Sequence, residues 1–155
     1  MYMSLCVSED IIVITDWEPV GFSAWAPTSI NYDENQVFRF PDVTYNLGGA
    51  YSGVTSLFTC PVDGMYAMHV TLLVDDNSDL VADILLDGDV LATVLCDDNE
   101  SHMCSNMAVF ECGAAQQVWV QTVTNADHEA LVDDGRHFNT FSGYLISPFN
   151  STFAM

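Results

Sequence analysis

Residues 40–66 read FPDVTYNLGGAYSGVTSLFTCPVDGMY, and this stretch decides the fold that the sequence predicts. Near its end, residues 61–64 have the composition of a turn, because proline fixes φ and glycine accepts a positive φ. The β-rich run YSGVTSLFTC leads into this turn, and MYAMHVTLLV leads out of it. We therefore predict two strands joined by a hairpin-like connection, with Gly64 in the left-handed region.

Short β-rich runs continue on both sides of this stretch, without a sustained helical period. They are VGFSAWA (20–26), QVFRF (36–40), TSLFTC (55–60), MYAMHVTLLV (65–74), VADILL (81–86), VLATVLC (90–96), NMAVFEC (106–112), QQVWVQTV (116–123) and FNTFSGYLI (138–146). Asp87-Gly88 is a favoured pair for a tight hairpin turn. Alternation places Val118 and Val120 on one strand face and Trp119 on the other. About ten short strands at this spacing indicate an all-β sandwich or barrel.

The charge balance restricts the partners of the chain. The 155 residues include 22 acidic residues, no lysine and only two arginines, Arg39 and Arg136, which gives a formal net charge of −20. Nucleic acid and anionic membrane surfaces are disfavoured as partners, because phosphate binding needs clustered cations. No apolar run approaches the ~18–20 residues of a membrane span. A cationic partner, a metal ion or a saline medium fits this charge better.

A set of aromatic, amide and glycine positions along the opening stretch resembles the signature of the globular C1q domain. These positions are Phe40, Asn46, Tyr51, Phe58, Gly64 and Tyr66. GFSAW (21–25) is similar to the first strand of that family, and VWVQ (118–121) and TFSGYLI (140–146) are similar to its last two strands. The resemblance covers about residues 18–147 and departs from the family at Met68 and Val70, where aromatics are usual.

The resemblance implies a fold, an assembly and a division of the chain. The fold is a ten-stranded jelly-roll β-sandwich akin to tumour-necrosis-factor folds, and such domains usually form trimers. We expect an N-terminal extension over residues 1–16, the globular domain over 17–147 and a C-terminal tail over 148–155. No collagen-like G-x-y repeat precedes the domain in this sequence. A homotrimer carries a formal charge of three times −20, or −60.

The cysteines leave several pairings open. There are five of them: Cys6, Cys60, Cys96, Cys104 and Cys112. The last four allow three disulfide patterns, and buried free thiols are the alternative. Near His102, a disulfide between Cys96 and Cys104 that closes the acidic loop is favoured over a zinc site, because no second ligand pair stands at a useful spacing. Asn99-Glu-Ser101 and Asn150-Ser-Thr152 permit glycosylation of a secreted chain.

Motifs that carry catalysis are missing from the sequence. The four histidines are scattered, and no nucleophile elbow, P-loop, HExxH or paired CxxC motif occurs. His69 lies within a predicted strand, where a structural histidine is favoured over a catalytic one. We therefore expect a protein that is not an enzyme.

Calcium is the metal that the acidic stretch DDNSDLVADILLDGD (75–89) favours, since Ca²⁺ takes ~6–8 oxygen ligands. The stretch is not an EF-hand, because Leu80 stands where that loop needs glycine and Leu86 where it needs a bidentate glutamate. In several C1q-domain proteins, acidic residues near this hairpin bind calcium close to the trimer apex. The resemblance thus implies Asp79 with Asp87 or Asp89 as ligands, and a solvated acidic loop is the alternative.

The predicted function follows from the resemblance. It implies a secreted, non-catalytic homotrimer that binds glycan, microbial-surface or protein ligands, with a possible role in innate immunity and calcium support. The segment MYMSLCVSEDIIVITDWEP does not read as a signal peptide, because it lacks a basic start and a long apolar run. The alternative function is an acidic calcium-binding extracellular or mineral-associated matrix protein, whose carboxylates are themselves the functional surface.

Overall fold

A computed structural model describes residues 2–8, 11–27, 32–74, 79–96, 102–123 and 135–149, which contain strands and no helix. The strands are β1 (Tyr2–Ser8), β2 (Ile11–Trp17), β3 (Gly21–Trp25), β4 (Asp42–Leu47), β5 (Tyr51–Ser52), β6 (Leu57–Thr59), β7 (Gly64–Val74), β8 (Leu80–Leu86), β9 (Asp89–Cys96), β10 (His102–Cys112), β11 (Gln117–Thr122) and β12 (Thr140–Pro148). Their pairings are all antiparallel.

Ten of the strands form two five-stranded sheets packed face to face. Sheet I has the order β10-β7-β12-β3-β4, and sheet II has the order β5-β6-β11-β8-β9. The chain passes repeatedly from one sheet to the other, which is the connectivity of a jelly roll. The predicted all-β, ten-stranded jelly-roll sandwich is confirmed.

Strands β1 and β2 form a hairpin of their own, running from the pair Tyr2–Trp17 to the pair Ser8–Ile11. This hairpin joins the ladder of neither sheet I nor sheet II. It falls on the segment that the sequence predicts as an N-terminal extension, and the exact boundaries of extension and tail stay predictions.

The core lies between the sheets because each strand alternates apolar residues inward. Val118, Val120 and Thr122 of β11 are buried, as the alternation in the sequence predicts. At the centre, the ring of Phe22 lies 4.4 Å from that of Tyr51, 5.0 Å from that of Phe141 and 5.2 Å from that of Phe58. Aromatic pairs at such distances add to the area-based stabilisation of the core. The signature aromatics thus hold the two sheets together.

The connection at residues 61–64 is not a hairpin. Strand β6 belongs to sheet II and β7 to sheet I, so the link carries the chain across the sandwich. Gly64 is not among the residues with positive φ. A Cβ there would lie 2.7 Å from the carbonyl oxygen of Ser147 and 2.8 Å from Cδ1 of Leu145. Close packing against β12, rather than turn geometry, requires glycine at this position.

The run QVFRF was also predicted as a strand, and the structure corrects this. Only Val37 makes an isolated bridge, to Gln121 of β11. Phe38 and Phe40 are instead core residues of a segment without regular structure. Conversely, β4 is exposed along its whole length and was not predicted, although Val43, Tyr45 and Leu47 alternate with polar residues along it.

Two disulfides cross the sandwich, so of the two alternatives for these four cysteines the structure has disulfides rather than free thiols. Cys96 pairs with Cys104, as the sequence favours, with Cα atoms 5.5 Å apart. Cys60 pairs with Cys112, with Cα atoms 6.4 Å apart. Both bonds join strand β10 of sheet I to the side of sheet II. Cys6 lies in β1, where only the backbone is described.

Candidate functional site

The outward side of sheet I is rich in exposed apolar residues. In β7, Tyr66, Met68 and Val70 point into the core, so the residues between them point outward. The apolar face, as we call this surface, consists of Tyr45, Leu47, Met65, Met103, Met107, Val109, Tyr144 and Ile146. Met107, Val109 and Tyr144 are 50%, 57% and 54% exposed, which leaves about half of each side chain in contact with water.

Register aligns these residues into rows across the sheet. Val109 of β10 stands opposite Ala67 of β7, which stands opposite Tyr144 of β12. In the next row, His69 lies between Met107 and Ser142. His69 is exposed on this side of the sheet, and its structural rather than catalytic role stays a prediction.

Sequence reasoning missed the apolar face, although a signal was present. Strands β7 and β10 carry apolar residues at both alternating sets of positions, for example Met65 beside Tyr66 and Val109 beside Phe110. Strands that are apolar on both faces are typical of sheets covered on both sides. Contiguous exposed apolar surface marks an interaction site on a folded domain.

The predicted calcium ligands do not come together within one chain. Asp79 precedes β8, at the apical end of the sandwich, where Val74 and Cys96 also lie. Asp87 and Asp89 follow the other end of β8, at the basal end, where Gly64 and Cys112 lie. Eight residues of extended chain, at ~3.3 Å each, put about 25 Å between the two groups. Asp79 therefore cannot bind the same ion as Asp87 of its own chain.

Asp87 has a structural role in the turn that follows β8. Its Oδ1 accepts a hydrogen bond of 2.9 Å from the backbone N–H of Gln117, and its Oδ2 accepts one of 3.2 Å from Nε2 of Gln116. Both Asp87 and Gly88 have positive φ, at 48° and 96°. This is the left-handed pair that a tight hairpin turn needs, so the predicted turn is confirmed.

Other metal sites are not formed by the described residues. No three His, Cys, Asp or Glu side chains in that part of the chain are grouped closely enough to hold an ion. Cys104 is bonded to Cys96, which removes it as a zinc ligand beside His102. Calcium binding stays a prediction.

The outward side of sheet II presents a polar and aromatic patch. Trp119 is half-buried, and its Nε1 donates a hydrogen bond of 3.0 Å to Oε1 of Gln121. Gln121 pairs in register with Asp83, whose Oδ1 accepts a bond of 2.6 Å from the Thr93 hydroxyl. These four side chains, Trp119, Gln121, Asp83 and Thr93, are the outer patch. An indole ring beside planar polar groups can stack on a sugar ring and hydrogen-bond its hydroxyls.

Tyr51 is the most strongly perturbed titratable group that the structure describes. Its hydroxyl donates a hydrogen bond of 2.9 Å to the carbonyl oxygen of Phe40 inside the sandwich. Desolvation by burial raises the pKa of Tyr51 to about 12. Burial also raises the pKa of Tyr32 and of Tyr66. These are core groups, so the perturbation reports packing rather than a reactive centre.

The C1q domain family model matches residues 21–146, and the chain belongs to this family. Human complement C1q tumor necrosis factor-related protein 3 is 24% identical over 130 residues, which are 82% of this chain and 51% of that protein. The chain thus spans about half the length of this curated relative. Within the described residues, no helix has the length and apolar character needed to cross a membrane.

Solved structures agree with the jelly-roll assignment. The globular domain of zebrafish complement 1qA protein superposes with a TM-score of 0.67 at 20% identity, covering 84% of this chain and 99% of that chain. Murine APRIL at pH 5.0 gives a TM-score of 0.63 at 10% identity, covering 83% and 100%. Eiger TNF from S. frugiperda gives 0.63 at 11% identity, covering 86% and 94%. At these identities the likeness establishes the fold alone.

Proposed function

We propose that this protein is a non-catalytic recognition module that assembles as a homotrimer through the apolar face of sheet I. The main support is that Met107, Val109 and Tyr144 are exposed and lie near one another on the outward side of sheet I. C1q and tumour-necrosis-factor-like domains typically form trimers, and C1q-domain proteins are generally non-catalytic. Burying this face removes apolar area from water at about 25 cal/mol per Å².

Charge opposes this assembly and sets the conditions under which it forms. Each chain carries a formal −20, so three chains carry −60. On the outward side of sheet I, the exposed Glu111 stands opposite Met65 and two residues from Val109, so a carboxylate of each chain borders the proposed contact. Salt screens this repulsion over a Debye length of about 8 Å at physiological strength.

Secretion fits the cysteine chemistry. The two disulfides join the sheets, and such bonds persist in oxidising compartments. C1q-domain relatives are secreted proteins, and we propose the same location for this chain.

The outer patch supports glycan, microbial-surface or protein recognition as the activity. Trp119 supplies a stacking surface, and Gln121 and Asp83 supply an amide and a carboxylate beside it. Three copies on one assembly provide avidity that a single weak site lacks. A role in innate immunity is consistent with this kind of multivalent binding.

We propose calcium binding at the basal end only, without Asp79. Asp89 begins β9 beside Asp87, and both present carboxylate oxygens of the kind Ca²⁺ prefers. Two carboxylates do not complete a shell of ~6–8 ligands, so backbone carbonyls, water or a neighbouring copy supply the rest.

Assembly is tested by light scattering of the chain and of Val109→Asp. We expect a trimer mass for the chain and a monomer mass for the variant, because a carboxylate in the buried face costs several kcal/mol. Val54→Asp is the matched control: Val54 is 80% exposed in the link between β5 and β6, so its variant keeps the trimer mass. A monomer mass for the unmodified chain would overturn the assembly.

Recognition is tested by a glycan-array screen of the chain and of Trp119→Ala, with and without Ca²⁺. Defined ligands that the variant loses support the outer patch as the binding site. If the chain binds many calcium ions weakly and no glycan, recognition is contradicted and the acidic matrix function is supported.

A further inference from the structure

A groove at the basal end of the sandwich is separate from the outer patch. Its cavity volume is about 770 Å³. Its main walls are the approach to β3, the link between β6 and β7, and the end of β12, and Leu47, Gly48 and Ala114 complete the lining. The residues that line it and enter the argument are Trp17, Glu18, Val62, Asp63, Leu145 and Phe149.

The basal groove has an apolar floor. Leu145 and Val20 are nearly buried, at 5% and 9% exposure, and close its deep side. Val62 and Phe149 line it while remaining 41% and 47% exposed. The half-buried Trp17 adds an aromatic ring to the same wall. Such a surface gains free energy when an apolar side chain covers it.

Backbone hydrogen bonds hold the walls in place. The N–H of Leu145 donates to the carbonyl oxygen of Val20 at 2.9 Å, and the N–H of Phe149 donates to the carbonyl oxygen of Asp63 at 2.8 Å. Each bond ties the end of β12 to one of the other two walls. The groove is therefore formed in the folded chain, which reduces the ordering cost of binding.

The rim of the groove is acidic. Glu18 and Asp63 are exposed at its edge, and Asp63 is held by a 2.7 Å hydrogen bond from the backbone N–H of Ala114 to its Oδ1. A second cavity of about 380 Å³ shares Asp63 and Phe149 and adds the carboxylate of Glu111. Among the described residues, no lysine or arginine lines either cavity.

We propose that the basal groove binds a cationic amphipathic peptide segment. Its apolar side chains would cover Val62, Phe149 and the floor, and its lysine or arginine side chains would meet Glu18 and Asp63. The groove volume lies within the ~300–1,000 Å³ typical of ligand sites. An anionic ligand is repelled by the rim, and a purely apolar ligand leaves the carboxylates unused. This site goes beyond the proposed trimer and shares only Leu47 with the apolar face.

The test uses the full chain and the blocked peptide Leu-Lys-Phe-Lys-Leu-Lys, with binding measured by calorimetry at physiological salt. The same peptide with glutamate for lysine, and with glutamine for lysine, reports the charge requirement. We expect the lysine peptide to bind, the glutamine peptide to bind more weakly and the glutamate peptide not to bind. Equal binding of all three would overturn the proposal.

A pair of charge-matched variants separates the groove from the general attraction of a chain of −20 for any cation. Glu18→Gln with Asp63→Asn removes two charges at the rim, while Asp63→Asn keeps the oxygen that accepts from Ala114. Glu34→Gln with Asp42→Asn removes two exposed charges away from the groove, since Asp42 pairs with Trp25 at the other end of β3. We expect about tenfold weaker binding for the rim variant and less than about twofold for the control, from two exposed ion pairs. Equal losses would leave only diffuse attraction and overturn the proposal.

A variant of the lining residue Val62 distinguishes peptide binding from a contact between copies of the chain. We expect Val62→Ser to weaken binding of the lysine peptide and to leave the molecular mass unchanged. If Val62→Ser instead lowers the mass of the assembly without peptide, the groove is a contact between copies and the proposal is overturned. The trimer can fail in the light-scattering test while this site stands, because the peptide assay also applies to a monomer.

Discussion

Gly64 of β7 lies so close to Leu145 of β12 that an added Cβ would stand 2.8 Å from the leucine Cδ1. We expect Gly64→Ala to lower the free energy of unfolding by about 1–3 kcal/mol, the usual cost of overpacking. Thermal or denaturant unfolding measures the loss. Gly113→Ala is the control, because its Cβ would meet the flexible end of Gln116 at 3.2 Å and Oδ1 of Asp63 at an ordinary 3.7 Å. Equal stability of both variants would show that β12 yields easily at this point.

Burial of Tyr51 predicts a loss of stability at alkaline pH. Its pKa in the folded chain is about 12, against 10.0 for a tyrosine in water. The native state therefore keeps a proton that the unfolded state releases, so stability is full below pH 10 and falls as the pH rises toward 12. Each pKa unit corresponds to about 1.4 kcal/mol.

The matched variant for this effect is Tyr51→Phe. It loses the hydrogen bond to Phe40, which costs about 1 kcal/mol near neutral pH, and it flattens the alkaline decline. Melting curves collected between neutral and strongly alkaline pH measure both effects. An unchanged decline in the variant would assign it to Tyr32 and Tyr66, whose pKa values are also raised.

The two disulfides differ in the length of chain they close. Cys60–Cys112 spans 52 residues, and Cys96–Cys104 spans 8. The entropy of loop closure predicts stabilisation by about 4 kcal/mol for the longer loop and about 2.5 kcal/mol for the shorter one. We expect the double alanine variant at 60 and 112 to melt well below the one at 96 and 104. The reverse order would mean that the entropy of the unfolded chain does not control their effect.

The charge of −20 predicts that salt stabilises the fold and the assembly by screening. At matched ionic strength we expect CaCl₂ to raise the melting temperature more than MgCl₂, because the looser coordination of Ca²⁺ suits irregular loop oxygens. Asp89→Asn should reduce this difference, while Asp79→Asn, at the opposite end of β8, should not share its effect. Identical shifts with both divalent ions in every variant would leave only diffuse screening.

Periodicity and turn composition predicted the strands in which apolar and polar residues alternate. The turn at Asp87-Gly88 and the buried face of β11 were both readable, because local sequence alone sets them. The link at residues 61–64 was misread, since a turn composition does not reveal that the flanking strands join different sheets. The need for glycine at position 64 was predicted from turn geometry, but its cause is close packing against Ser147. That contact was not readable, because Ser147 is distant in sequence.

The candidate surfaces were harder to predict than the fold. Asp79 and Asp87 are near in sequence but lie at opposite ends of β8. Their spacing in the sequence does not show whether the residues between them form a strand or a loop. The basal groove combines Glu18, Asp63 and Phe149 from three separated segments, so no local motif announces it. The apolar face had a readable signal in β7 and β10, but choosing between core and surface positions needs the strand pairing.

Strand β10 is an edge strand that supplies Met103, Met107 and Val109 to the apolar face, and its residues Cys104 and Cys112 both enter disulfides. In a newly made, still reduced chain, this edge is held by the backbone ladder to β7 and by a 2.9 Å hydrogen bond that Nδ2 of Asn106 donates to the carbonyl oxygen of Thr93 in β9. Thiol oxidation fastens it to the opposite layer at both ends. For the proposed secreted trimer, we therefore expect subunit association to follow disulfide formation during biosynthesis.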